Sequence, residues 1–204
     1  MNTLTSNPVS SLLDQLYKQS DASAPALDAF FNPLSKDEQR RLMGSKTDYL
    51  DLFTRLKDIP LPVSRETGRL LYMLARSSGA RNVVEFGTSF GISTLHLAAA
   101  LRDNGGGRLI TTEFEASKMA RAKQNLEEAG LADLVEFREG DALQNLQRDL
   151  PDAIELLLLD GAKSLYSEIL KLVEGRLRVG ALIVADNAEF CPEYLTVVRS
   201  VSAG

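Results

Sequence analysis

From residue 82 onward the chain alternates short apolar runs with segments whose apolar residues recur every three or four positions. The runs are 82–86, 109–112, 134–138, 154–159 and 181–185, and the spacing predicts helices over 94–101, 117–128, 142–148 and 166–172. The run Leu156-Leu157-Leu158-Leu159 does not alternate with polar residues, as expected of a central parallel strand covered by helices on both faces. A repeating β-α order of this kind predicts an α/β protein with a doubly wound, mostly parallel sheet.

The first part of the chain reads differently. Residues 10–17 and 25–49 are polar with spaced leucines, and Pro8, Pro25 and Pro33 are expected to divide them into short helical pieces. A further short helix over 51–59 is closed by the rigid Pro60-Leu61-Pro62. Ser64 is placed to cap an amphipathic helix that starts at Arg65 and ends at Gly79. The expected organisation is a helical annex over 1–62 and a sheet domain over 63–204, folded as one structural unit.

Composition narrows the chemistry. The 204 residues are 44% hydrophobic and 25% charged, which is ordinary globular usage. With a net charge of -5 and 23 Lys and Arg scattered along the chain, there is no stripe to attract a polyanion, so nucleic acid is not an expected partner. The start of the chain lacks the basic-then-apolar order of a signal peptide, and no apolar run approaches the ~18 residues of a membrane span. A cytoplasmic protein with no membrane partner is expected. Cys191 is the single cysteine and His96 the single histidine, which removes intrachain disulfides, multi-cysteine zinc sites, Ser-His-Asp triads and two-histidine metal sites. Catalysis is left to carboxylates, lysine, tyrosine or a bound ion.

In a doubly wound sheet, ligands bind beyond the carboxyl ends of the strands. The first strand runs through Glu85-Phe86-Gly87-Thr88-Ser89-Phe90-Gly91-Ile92-Ser93 into a helix, a glycine turn meeting a helix N-terminus. Its Gly-x-x-x-Gly spacing is not the Gly-x-Gly-x-x-Gly of dinucleotide enzymes, and a glycine joint between strand and helix accounts for it equally well. Glu113 ends the second strand, where a carboxylate can accept from both hydroxyls of a ribose. Asp141, in Gly140-Asp141-Ala142, stands after the third strand, where it can accept from an adenine amino group. Together the three turns describe an adenosyl ligand. The fourth and fifth turns offer Asp160, Asp186 and Asn187, an all-oxygen set suited to Mg²⁺ or Ca²⁺; as helix caps the same residues need no ion.

At these residues the chain resembles the class I S-adenosylmethionine-dependent methyltransferases, and among them the cation-dependent O-methyltransferases related to catechol and caffeoyl-CoA O-methyltransferases. The resemblance runs from about Pro62 to about Pro192, and its more specific part is Asp160-x-x-Lys163-x-x-Tyr166 followed one strand later by Asp186-Asn187. It implies a Rossmann-like methyltransferase fold and a cofactor held by Glu85, Gly87, Ser89, Ser93, Glu113, Asp141, Ala142 and Asp160. Within that set, Gly87 and Ser93 would lie along the methionine part, Glu113 at the ribose, and Asp141 with Ala142 at the adenine. Asp160, Asp186 and Asn187 would hold a divalent cation, Mg²⁺ foremost and Ca²⁺ or Mn²⁺ otherwise. Lys163 would be the catalytic base that takes the proton of a hydroxylated, catechol-like small-molecule acceptor. A homodimer is also implied.

The chain departs from that pattern after Asp186-Asn187. The family's sheet ends in an antiparallel hairpin, whereas this sequence stops at Val201-Ser202-Ala203-Gly204, so the last strands are expected to be missing and the fifth run to lie near an exposed edge. Glu189-Phe190-Cys191-Pro192 also differs from the family's usual pattern at the acceptor side. Two rival functions remain open at this level: a metal-independent methyltransferase acting on another small molecule, and a catalytically silent S-adenosylmethionine-binding module.

Overall fold

Strand pairing explains why the apolar runs do not alternate with polar residues. In the computed structural model, which describes residues 2–200, five parallel strands form one sheet in the order β3-β2-β1-β4-β5. They are β1 (Asn82–Phe86), β2 (Arg108–Glu113), β3 (Val135–Glu139), β4 (Ile154–Leu159) and β5 (Leu177–Ala185). Because successive side chains point to opposite faces, each strand feeds two cores. Val83, Leu109, Leu156 and Leu158 belong to one, while Val84, Ile110, Leu157 and Leu159 belong to the other.

The first core is closed by α1 (Val9–Phe31), α4 (Arg65–Ser77) and α5 (Ile92–Asp103), with Leu126 of α6 (Ala116–Glu128). The second is closed by α7 (Ala142–Asn145), α8 (Tyr166–Val173) and α9 (Pro192–Val198). Two short helices, α2 (Lys36–Gly44) and α3 (Tyr49–Arg55), lie between α1 and α4 in the chain. Ser64 caps α4 as its sequence predicts, its hydroxyl accepting the Thr67 N–H at 3.0 Å. No described helix is long and apolar enough to cross a membrane.

Three expectations need correction. Pro25 does not end a helix; it lies inside the 23-residue α1. The buried residues of α1 stop at Tyr17, so Pro25 sits in a solvent-facing stretch where the carbonyl that loses its partner can be hydrated. The fifth strand begins at Leu177, earlier than residue 181, because the register shifts between Ile154↔Leu177 and Leu156↔Leu182, around Gly180 at φ 79°. Such a bulge interrupts the apolar pattern that marks a strand. The helix expected over 142–148 is a single turn, α7. As anticipated, β5 is an edge strand among the described residues, with Val179 fully exposed; Val201–Gly204 lie outside the described residues.

The lone histidine is structural. His96 is buried, its Nδ1–H donates to the Ile92 carbonyl at 2.8 Å, and its ring meets Tyr17 edge to face. A side-chain carbon at Gly68 would come within 2.6 Å of that ring, so α4 and α5 touch where glycine permits. Burial lowers the imidazole pKa from 6.5 to about 4. The unfolded chain therefore takes up a proton that the folded chain refuses. Stability is held above pH 6.5 and should fall by up to about 1.4 kcal/mol per pH unit toward pH 4. Urea titrations across that window, compared between the protein and His96→Leu, test this; an unchanged slope in the variant would assign the acid sensitivity elsewhere.

Candidate active site

The sheet order reverses between β1 and β4, and the ends of these two strands come together there. Gly87 and Thr88 donate backbone N–H groups to the Thr112 carbonyl at 3.2 and 3.1 Å, while the Phe86 carbonyl accepts the Asp160 N–H at 2.8 Å. Gly87 has φ 104°, and a side-chain carbon on it would lie 2.5 Å from the Asp160 carbonyl. Glycine is thus required twice, by conformation and by space. Ser89 (φ 49°) and Gly91 (φ 83°) complete the turn into α5.

A cavity opens at this point. Gly87, Ser89, Glu113, Asp141, Ala142 and Asp160 all stand on its wall. Glu113 is fixed by backbone, accepting the Ser89 N–H at 2.8 Å and the Glu115 N–H at 2.9 Å. Asp141 caps α7 by accepting the Leu143 N–H at 2.9 Å. The Pro60-Leu61-Pro62 segment closes over the glycine turn, the Leu61 N–H donating to Ser89 Oγ at 3.2 Å.

Glu85 and Ser93, named with the others from the sequence, are placed elsewhere. Glu85 is fully buried and lies off the cavity wall. Its Oε2 accepts the hydroxyls of Thr94 and Thr111, each at 2.6 Å, and Ser93 lies near its carboxyl. Burial pushes its pKa up, toward the neutral form. Ser93 lines a small separate crevice beside Pro60 and Ser89. Both residues belong to a buried polar layer beneath the site.

A second cavity adjoins the first; Phe53, Leu61, Asp160 and Gly161 border both. Lys163, Asp186 and Asn187 lie on its wall. Lys163 is buried, with Nζ 2.9 Å from Asp160 Oδ1, 2.8 Å from the Tyr166 hydroxyl and 3.9 Å from Asp186 Oδ2. Tyr166 donates its own proton to the Asp186 carbonyl at 2.8 Å, so its oxygen is free to accept from Lys163. Burial raises the Asp160 pKa from 3.8 to about 7; the Lys163 charge opposes this, and Asp186 and Glu85 add to it. Asn187, in the left-handed region at φ 49°, makes no side-chain cap bond to the turn that follows, so helix capping does not account for it.

Sequence reasoning missed several wall residues. Phe53 and Leu61 come from the N-terminal region, and their contact with strand ends far along the chain leaves no local signal. Lys118 does leave one. It occupies the apolar stripe of α6 with Met119, Ala122, Asn125 and Leu126, a charge at a position whose helical spacing marks it as buried.

A sheet reversing at β1 and β4, an acid fixed by backbone at the end of β2 and a glycine turn packed on β4 make the nucleoside-binding edge of a doubly wound α/β protein. The profile of the O-methyltransferase family matches residues 49–196, and the chain belongs to that family of S-adenosylmethionine-dependent enzymes. It is 36% identical over 153 residues to a catechol O-methyltransferase of Niastella koreensis, covering 72% of this chain and 68% of that one. It is 35% identical to a catechol O-methyltransferase of Mycobacterium tuberculosis, covering 62% of this chain and 57% of that protein. Among solved structures it is similar to the O-methyltransferase TomG of Streptomyces achromogenes in complex with SAM. That match has a TM-score of 0.60 and 33% identity, over 88% of this chain and 78% of that one.

Gly87→Ala should therefore damage the site rather than merely loosen the fold. Its methyl group must displace the Asp160 backbone, at a cost of about 1–3 kcal/mol. Thermal unfolding and calorimetric titration of S-adenosylhomocysteine are expected to show a lowered Tm and weakened binding together; retained affinity would mean that the strand ends can part without cost.

Proposed function

We propose that this protein transfers the methyl group of S-adenosylmethionine to a hydroxyl of a small, catechol-like acceptor, with help from a divalent cation held by Asp160, Asp186 and Asn187. The observation that carries this reading is that Asp160 borders both cavities while its carboxylate holds Lys163 on the wall of the second. A ligand seated against Glu113 and Asp141 would then meet an acceptor at Asp160. The similarity to catechol O-methyltransferases supports the acceptor class.

The donor set fits a hard cation. Among the described residues no group of three or more His, Cys, Asp and Glu is gathered, so the set is two carboxylates and an amide oxygen, which suits Mg²⁺ better than zinc. Asp160 and Asp186 already share one positive charge, that of Lys163. When bound, the ion would stabilise an acceptor phenolate, and S-adenosylmethionine would supply an electrophilic methyl carbon.

The chain's own residues handle the proton and the geometry. A phenol has a pKa of about 10, so about one molecule in a thousand is ionised at neutral pH without help. Lys163 would take that proton as the uncharged amine, having first given up the proton of its ammonium form to solvent. Asp160 and Tyr166 hold its nitrogen, and Lys163 stands on the wall of the second cavity. Phe53, Ile59 and Leu61 line that cavity with apolar surface suited to an aromatic ring and to keeping water out. Holding both reactants in line is worth up to about 7–11 kcal/mol of the barrier.

One observation favours a metal-independent variant of the reaction: the Lys163 ammonium itself compensates both carboxylates. For the remaining features, a homodimer is the proposed assembly, and the single free thiol of Cys191 suits a reducing compartment such as the cytoplasm.

Methyl transfer from S-adenosylmethionine to a catechol panel, with Mg²⁺ or with chelator, tests the reading. Chelator-sensitive turnover is expected; turnover indifferent to chelator would select the metal-independent variant. Cofactor binding without any turnover would leave a silent binding module. Lys163→Ala should lower turnover by about 10²–10⁴-fold with unchanged S-adenosylhomocysteine affinity. Asp186→Ala should raise the Mg²⁺ concentration needed for half-maximal rate, and full activity in Lys163→Ala would remove the proposed base.

A further inference from the structure

Lys118 is the one basic side chain on the wall of the first cavity, which it shares with the carboxylates of Glu113, Asp141 and Asp160. It stands on the first turn of α6 and is 2% exposed. Among the described residues its ammonium has no hydrogen-bond or ion-pair partner; Glu113, Glu115 and Asp58 reach it through their charge alone. A lysine is costly to bury without acceptors, and burial lowers its pKa, against the pull of those three carboxylates. Methionine would fill nearly the same space without that cost, so packing does not account for a lysine here.

The neighbouring acid supplies the complement. A ribose diol has two hydroxyl protons to donate and two oxygens with lone pairs to satisfy. Glu113 can accept the protons, since each of its oxygens carries a single backbone N–H, from Ser89 or from Glu115. It has no proton to give back. We propose that Lys118 is the second half of a ribose clamp, its ammonium donating to the diol oxygens whose protons Glu113 accepts. The ligand class is an adenine nucleoside with free 2′- and 3′-hydroxyls, an inference that rests on the S-adenosylmethionine reading above. The pair forms a complete donor and acceptor match only when the diol is present.

Calorimetric titration of S-adenosylhomocysteine and of its 2′,3′-dideoxy analogue into the protein, Lys118→Met and Lys118→Gln, with thermal unfolding of each free protein, tests the clamp. Lys118→Met is expected to weaken S-adenosylhomocysteine roughly tenfold while leaving affinity for the dideoxy analogue nearly unchanged. Its Tm without ligand should be equal to or above that of the unaltered protein, because a largely buried charge has been removed. A loss of the same size for both ligands, or no loss, overturns the clamp. If Lys118→Met does not fold, Lys118→Gln, which keeps a polar end of shorter reach, decides by the same comparison of the two ligands. An unaltered protein that binds neither ligand sinks the cofactor reading and the clamp with it; normal binding with no difference between ligands in the variants sinks the clamp alone.

Discussion

Everything at the carboxyl edge of the sheet depends on how closely β1 can approach β4. The space between Gly87 and the Asp160 carbonyl cannot hold even a methyl group, and a side-chain carbon at Gly161 would strike the Phe86 ring at 2.6 Å. The two strand ends are therefore locked from both sides, each by a missing side chain on the other. This closure fixes the Asp160 carboxylate where the two cavities meet. From that point Lys163, Tyr166 and the Asp186 carbonyl follow as a chain of hydrogen bonds linking the end of β4 to the end of β5.

Beneath this edge the charge pattern inverts. Glu85 is surrounded by the hydroxyls of Ser93, Thr94 and Thr111, and Thr88 is bonded to Thr111 at 2.6 Å. One carboxyl oxygen, Oε1, has no hydrogen-bond partner among the described residues, which accords with burial pushing the group toward its neutral form. These hydroxyls come from the glycine turn, from β2 and from α5, the elements that together carry Ser89 and Glu113. The layer ties those elements to one another and places no exposed charge under the cavity, so the field there is set by Glu113, Asp141, Asp160 and Lys118.

Much of this was legible in the sequence because burial on both faces of a parallel sheet leaves uninterrupted apolar runs. It failed where another constraint prevailed. The register shift in β5 hid half of that strand, and solvent on the outer part of α1 let Pro25 stand within a helix. Glu85 was carried to the cofactor by its motif, yet strand parity places it correctly: it shares a face with Val83, toward α5, and not with Phe86, which reaches the cavity. Lys118 was readable from helical spacing alone. Phe53 and Leu61 were not, since what brings them to the site is packing between distant segments.

The two cavities differ in what their walls contribute to the folded state. The first is built from strand ends and from turns anchored in the two cores. One side of the second is Ser20, Ser23, Ala24 and Leu27, from a part of α1 with no buried residues. Stretches with so few core contacts open at lower free energy than the sheet, and substitutions in them fall mostly within about ±0.5 kcal/mol of neutral. Selection can therefore recast the wall of the second cavity one residue at a time while that of the first stays under the constraint of folding, which gives a single scaffold the freedom to change one site without relearning the other.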